Sequence, residues 1–309
     1  MKKPLVAVVL GPTASGKTSL GIEIAERFDG EIVSADSMQI YENMDIATAK
    51  PNADELSRVR HHLIGFLPAD ESFSVAKYKE KATQAIDDIL TRGKLPIIVG
   101  GTGLYIDTLI KNTEFFDYEE SDIRTKLEER CKSEGIESLY RELISIDPVT
   151  AQRLHINDNK RIIRALEVYY STGMTISKQE ELSHVNESKY RFCLIGLNAK
   201  DRQYLYDRIN LRVDMMLSEG LLDEAKRFFA GETSKTAAQA IGYKELKPYL
   251  DSLVSLEEAT EKLKMETRRY AKRQLTWFRR NPDIHWINID EYDKNKLIET
   301  ACDIINNER

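Results

Sequence analysis

The sequence predicts an α/β protein, a parallel sheet flanked by helices and interrupted by an all-helical lobe. Three observations carry that expectation. An apolar, β-branched run at 5–10 breaks into a glycine-rich loop and restarts as a helix. Further apolar runs alternate with helical patterns, as parallel strands joined by crossovers do. The stretch 114–190 reads as successive helices with no convincing strand.

The first strand, Leu5-Val6-Ala7-Val8-Val9-Leu10, leads into Gly11-Pro12-Thr13-Ala14-Ser15-Gly16-Lys17-Thr18, which fits G-x-x-x-x-G-K-[ST] at every fixed position. Such a loop aims backbone N–H groups at one point. The positive end of the following helix and Lys17 reinforce it, so the point binds phosphate. Thr18 is placed to put its hydroxyl on a Mg²⁺ that bridges phosphate oxygens. The core is therefore expected to be P-loop NTPase-like and to hold a di- or triphosphate.

The other elements follow in order. A strand is expected at 31–35. A helix at 74–92 carries Ala76, Tyr78, Ala82, Ala85, Ile86, Ile89 and Leu90 on one side. Residues 95–99 are nearly all apolar, as in a strand buried on both faces. Helices at 122–133, 136–145 and 159–171, with a turn near Pro148, make the lobe. Strands at 191–197 and 285–289 and a long amphipathic helix over about 256–280 complete the pattern. The expected division is a core of 1–113 and 191–309 and a helical insertion, 114–190, that covers or extends the site.

Composition narrows the function classes. The 309 residues are 41% hydrophobic and 31% charged, ordinary for a soluble globular chain. No apolar run approaches the roughly 18 residues of a membrane helix, and no signal-peptide pattern precedes the first strand. Cys131, Cys193 and Cys302 are far apart and suit a reducing cytoplasm. The net charge is −6, yet eight basic residues and one acid lie between Lys262 and Arg280. A basic stripe on an acidic body suits a polyanion docked in one orientation, although charge runs are usually just solvated.

Asp36, in Ala35-Asp36-Ser37-Met38-Gln39-Ile40-Tyr41, follows the second strand. In open parallel sheets ligands bind beyond the C-terminal strand ends, so Asp36 and the glycine loop should share a crevice. A carboxylate there can hold Mg²⁺ through water, act as a general base, or simply cap a helix. Gly100-Gly101-Thr102-Gly103 closes the third strand. It reads as a turn or, somewhat better, as a close approach of backbone to ligand. No acid ends that strand, where NTPases usually keep one for Mg²⁺. The loop thus suits a diphosphate that departs rather than a water-activating NTPase.

Taken together the motifs resemble the tRNA dimethylallyltransferase (tRNA isopentenyltransferase) family, of the bacterial type. The signatures are GPTASGKT (11–18), ADSMQIYENMDIATAKP (35–51), HHLIG (61–65), PIIVGGTGLYI (96–106), NKRIIRALEVYYSTG (159–173), AIGYKEL (240–246) and TRRYAKRQLTWFRR (267–280). The resemblance implies transfer of a dimethylallyl group from its diphosphate to N6 of the adenosine just 3′ of the anticodon. It implies Asp36 as the base, with Lys17, the 11–18 backbone and Thr18-bound Mg²⁺ on the leaving diphosphate. Thr102 would orient the phosphates or the base. Met38, Gln39 and Ser37 would line the channel for the flipped-out adenosine. Implied tRNA contacts are Lys160, Arg161 and Arg164 in the basic helix motif, with Ile162 and Ile163 between them, and Arg269, Arg273 and Arg280. Arg124, at the start of the lobe, is a further candidate. A monomer is also implied.

Three positions depart from the family pattern. Lys160 stands where glutamine is usual, Gly65 follows His61-His62-Leu63-Ile64 in place of aspartate, and Lys77 replaces an acid. They are expected to lie outside the phosphate crevice and to alter tRNA contact rather than chemistry. Two other activities fit the loop: isopentenyl transfer to a free adenine nucleotide, and ATP-dependent phosphorylation of a small molecule. A nonenzymatic RNA-binding module leaves the loop unexplained.

Overall fold

In a computed structural model the described residues are 2–115, 122–183 and 187–309. The strands are β1 (Leu5–Leu10), β2 (Gly30–Ala35), β3 (His61–His62), β4 (Leu95–Gly100), β5 (Arg191–Asn198) and β6 (His285–Asn288). They form one six-stranded sheet in the order β3-β2-β4-β1-β5-β6. Every pairing is parallel. The chain thus has the P-loop NTPase-like α/β fold. Parallel strands need both faces covered, and β2 and β4 are buried along their whole length.

The helices are α1 (Lys17–Phe28), α2 (Ala53–Arg58), α3 (Val75–Thr91), α4 (Gly103–Ile110), α5 (Ile123–Glu134), α6 (Ile136–Ile146), α7 (Pro148–Arg153), α8 (Asn159–Thr172), α9 (Ile176–Ser183), α10 (Arg202–Ser218), α11 (Leu221–Ala230), α12 (Tyr243–Leu250), α13 (Leu256–Phe278) and α14 (Lys294–Glu308). Side chains set several starts. Ser74 caps α3 by accepting from Lys77 N, and Ser255 forms a reciprocal capping box with Glu258 on α13. No described helix is long and apolar enough to cross a membrane.

The chain divides into two compact units. One holds the residues up to Leu109 and from Lys189 onward; the other is Ile110–Ser188. Residues 189 and 190 stay with the sheet because both reach α3: Lys189 Nζ and Tyr190 OH donate to the Asp87 carboxylate at 2.7 and 2.8 Å.

In the sheet unit, Val9, Ile22, Ile24, Ile97 and Ile195 pack in a buried core between the sheet and its helices. A second buried cluster joins Ile40, Tyr41 and Met44 to Val213, Leu221, Phe228, Tyr243 and Leu263. It fixes α10–α13 against the segment that follows β2. In the helical unit Leu127, Leu139, Leu143, Ile162, Ile163 and Leu166 form a separate core. Buried Asp147 ties its helices by accepting from Thr150 N and Ser177 N.

Candidate active site

The sheet order sets β2, β4 and β1 side by side, so the loops after their C-terminal ends converge. They open onto a cleft of about 1330 Å³ within the sheet unit. A site for one small ligand occupies about 300–1,000 Å³, so this cleft has room for a diphosphate and a nucleobase together. Its walls include Thr13, Ala14, Gly16, Lys17 and Thr18 from the phosphate loop, and also Asp36, Ser37, Met38 and Gln39.

The phosphate loop is held in shape from outside. Gly16 has φ 90°, the left-handed region that favours glycine. Gln274 of α13 accepts from Thr13 N at 2.8 Å and donates to Gly101 O at 2.9 Å, joining the β1 and β4 loops. Arg208 of α10 donates to Ala14 O at 2.8 Å. Lys17 Nζ donates to Pro12 O at 2.7 Å. Burial, then the neighbouring Arg212 charge, pushes the Lys17 ammonium down to about 7, while Asp36 opposes them. Burial also lowers Arg212, again against the pull of Asp36. Lys17 and Arg212 thus repel one another while both feel the Asp36 charge, an arrangement that a bound anion relieves.

No helix starts at Asp36; it caps the turn at 37–40 instead and leaves an oxygen over. Oδ1 accepts from Met38 N at 2.8 Å and Gln39 N at 3.3 Å. Oδ2 takes no hydrogen bond among the described residues. Thr102 is absent from the cleft wall. Its Oγ1 accepts from Ser37 N at 3.0 Å, so its contact is to the Asp36 turn. Tyr270, on the wall, packs beside Thr102 and Gln274; burial and then the Asp36 charge raise its hydroxyl.

Three expectations are corrected. The glycines at 100–103 fit a turn better than a close approach to ligand throughout: Gly100 lines the cleft, but a Cβ on Gly101 would fall 2.2 Å from Gln274 Nε2 and one on Gly103 2.2 Å from Trp277 Cδ1, so protein fills the space at those two. Gly65 was placed outside the crevice, yet it lines the cleft, because Gly65 N donates to Gln39 O and draws it to the Asp36 turn. Ile162 and Ile163 are buried at 0% and 6% exposure in the helical unit's core, so their side chains cannot reach RNA.

The basic candidates fall into groups. Arg273 lines the cleft. Arg269 pairs with Glu266 at 2.7 Å, and Arg280 lies 4.6 Å from the Trp277 ring centre. In the helical unit Arg161 pairs with Asp158, and Arg124 and Arg164 share Glu167 at 3.4 and 3.0 Å. Lys160 is exposed there. Arg208, Arg212, Tyr270 and Gln274 escaped the sequence reading as site residues. The only signal was position: 208 and 212 share a helix face at i, i+4, as do 270 and 274.

Thr18 supplies a hydroxyl and Asp36 a carboxylate to the cleft, both hard oxygen donors. No group of three or more His, Cys, Asp or Glu among the described residues could hold a metal. That donor set fits a Mg²⁺ carried largely by phosphate oxygens and water. The buried Ser15 hydroxyl, without a partner among the described residues, is a further polar group at this loop.

Known proteins resemble this chain along nearly its whole length. The family model "IPP transferase" matches residues 39–281. The tRNA dimethylallyltransferase of Acetivibrio thermocellus is 52% identical over 95% of this chain and 94% of its own length. That of Bacillus anthracis is 46% identical, covering 96% and 95%. A solved tRNA isopentenylpyrophosphate transferase from Bacillus halodurans is 44% identical, with TM-score 0.74 over 99% of this chain and 96% of that one. A eukaryotic dimethylallyltransferase, solved acting on tRNA, is 30% identical, with TM-score 0.82 over 98% of this chain and 80% of that one. With a family model that matches more than half of the chain and relatives 46–52% identical along nearly all of it, the chain belongs to the IPP transferase family.

Proposed function

We propose that this protein is a tRNA dimethylallyltransferase, moving a dimethylallyl group from its diphosphate to N6 of the adenosine 3′-adjacent to the anticodon. One observation carries the reading: in a chain of this family, Asp36 and the 11–18 loop face one cleft. The adenosine amine is a poor nucleophile, because its lone pair is delocalised into the purine. As the N6–carbon bond forms, Asp36 Oδ2 takes the N6 proton, while Oδ1 stays held by Met38 N and Gln39 N. The carbon–oxygen bond to diphosphate breaks, and its electron pair leaves on the diphosphate. The loop N–H groups, Lys17 and Arg212 offset the charge that develops there. Thr18, with its hydroxyl on the cleft wall, would hold a Mg²⁺, which would supply further positive charge to the leaving diphosphate.

The target base leaves its stack to reach the cleft, at a cost of a few kcal/mol. Arg273 on the wall and the other cations of α13 suit the anticodon stem-loop phosphates. We place the protein in the cytoplasm as a monomer. Radiolabel from dimethylallyl diphosphate should enter unmodified tRNA in the presence of Mg²⁺; folded protein that incorporates none would refute the reading. A transferase acting on free adenine nucleotides would not need the basic face of α13. Competition between tRNA and AMP in one assay separates the two.

A further inference from the structure

We propose that Glu224 is a positioning residue for Asp36, acting through the 45–49 segment and Gln39. Glu224 lies on α11 and is 4% exposed. Its carboxylate is filled by four donors. Oε2 accepts from Asp45 N at 2.9 Å and Ile46 N at 2.8 Å. Oε1 accepts from Ala47 N at 2.9 Å and Tyr243 OH at 2.8 Å. A buried carboxylate is costly unless such bonds satisfy it, so this set has one tolerated geometry.

The segment so held reaches the reacting group. Its carbonyls at Thr48 and Ala49 accept both hydrogens of Gln39 Nε2, at 3.2 and 3.0 Å. Gln39 Oε1 accepts from Ser34 Oγ at 3.3 Å, so the whole amide is engaged. With its side chain pinned, Gln39 offers its backbone N–H to Asp36 Oδ1. A carboxylate on α11 therefore sets the orientation of a carboxylate after β2, although 188 positions of chain separate them. Neither Glu224 nor Tyr243 lines the cleft, so the effect is indirect. The inference rests on Asp36 as the acceptor of the N6 proton.

The test is Glu224→Gln, which replaces one acceptor oxygen by an amide nitrogen unable to receive its two bonds. Backbone amides at 45–47 should exchange hydrogen faster than in the wild type. The kcat for prenyl transfer should fall about tenfold or more, with KM for dimethylallyl diphosphate within about threefold. Combined with Gln39→Ala, it should be no more than about twofold slower than the slower single variant. If Glu224→Gln folds poorly, Tyr243→Phe should show the same split, at about two- to fivefold in kcat. Unchanged exchange, undiminished kcat, equal losses in kcat and donor affinity, or fully additive variants would each overturn the proposal. Wild-type protein that transfers no prenyl group instead defeats the proposed function, and the exchange measurement still reports whether Glu224 holds the segment.

Discussion

Neutralising Glu31 should cost stability in a way that depends on pH. Glu31 stands near the start of β2 with its side chain 4% exposed. Both arms of the Arg92 guanidinium bind it, and His62 Nε2 lies at 2.8 Å and Lys94 Nζ at 3.6 Å. The Arg92 hydrogen bonds are the largest cause holding its carboxyl at about 2 instead of 4.5; burial opposes them, and His62 adds to them. At 1.36 kcal/mol per tenfold change, that difference corresponds to about 3 kcal/mol. A folded-state pKa below the unfolded one gives stability that is complete above about pH 4.5. It is lost as pH falls through about 2. Arg92 is 32% exposed and partly screened by solvent, so about 2–3 kcal/mol is the expected loss for Glu31→Gln at pH 7. Urea unfolding of both proteins at pH 7, 5, 4 and 3 checks this, and the gap should narrow at the lowest values. A gap as wide at pH 3 as at pH 7, or one under about 0.5 kcal/mol throughout, would refute the reasoning. The consequence reaches the cleft. β3 is two residues long and pairs with β2 through Ile32 and Val33, and the segment it begins supplies His61, Ile64 and Gly65 to the cleft wall.

Asp36→Asn should lower kcat by about a hundredfold or more while changing diphosphate affinity little, measured by single-turnover transfer and pyrophosphate binding. Equal losses in the two would argue against proton acceptance by Asp36. Arg212→Gln should raise KM for dimethylallyl diphosphate by about tenfold, read from initial rates, because a cation facing the phosphate loop is removed. Arg273→Ala should weaken tRNA binding and reduce the slope of log affinity against log salt by about one; an unchanged slope would remove Arg273 from the phosphate contacts. Cys193, 1% exposed and with its thiol pushed up to about 12 by burial, should resist alkylation in the folded protein at pH 8, checked by mass spectrometry.

The sheet was readable from sequence because parallel strands buried on both faces leave long apolar runs between helices. β1, β4 and β5 were found within a residue at either end for that reason. β3 was not, since two histidines carry no periodicity and are strand only because β2 pairs with them. The phosphate loop was equally plain, being local: one octapeptide holds its whole chemistry. Gln274 was not, because its partners Thr13 and Gly101 lie 261 and 173 positions away. The isoleucines at 162 and 163 show a different limit. A motif names consecutive residues, whereas a helix turns about 100° at each one, so Arg161 and Arg164 face outward while the two between them face the core.

Asp36 shows why local sequence could not choose between a cap and a base. A capping aspartate needs backbone N–H donors two or three residues later, and a general base needs an oxygen facing substrate. Asp36-Ser37-Met38-Gln39 meets the first need by spacing alone. The second depends on which elements the fold brings opposite, here the 11–18 loop, Arg212 and Tyr270. The two roles occupy different oxygens of one carboxylate, so they support each other. Oδ1, fixed by two N–H groups, stops the side chain from turning toward Lys17 and Arg212, whose charges would otherwise draw it into an ion pair. A base kept apart from nearby cations by its own turn remains available for a proton arriving from the nucleobase.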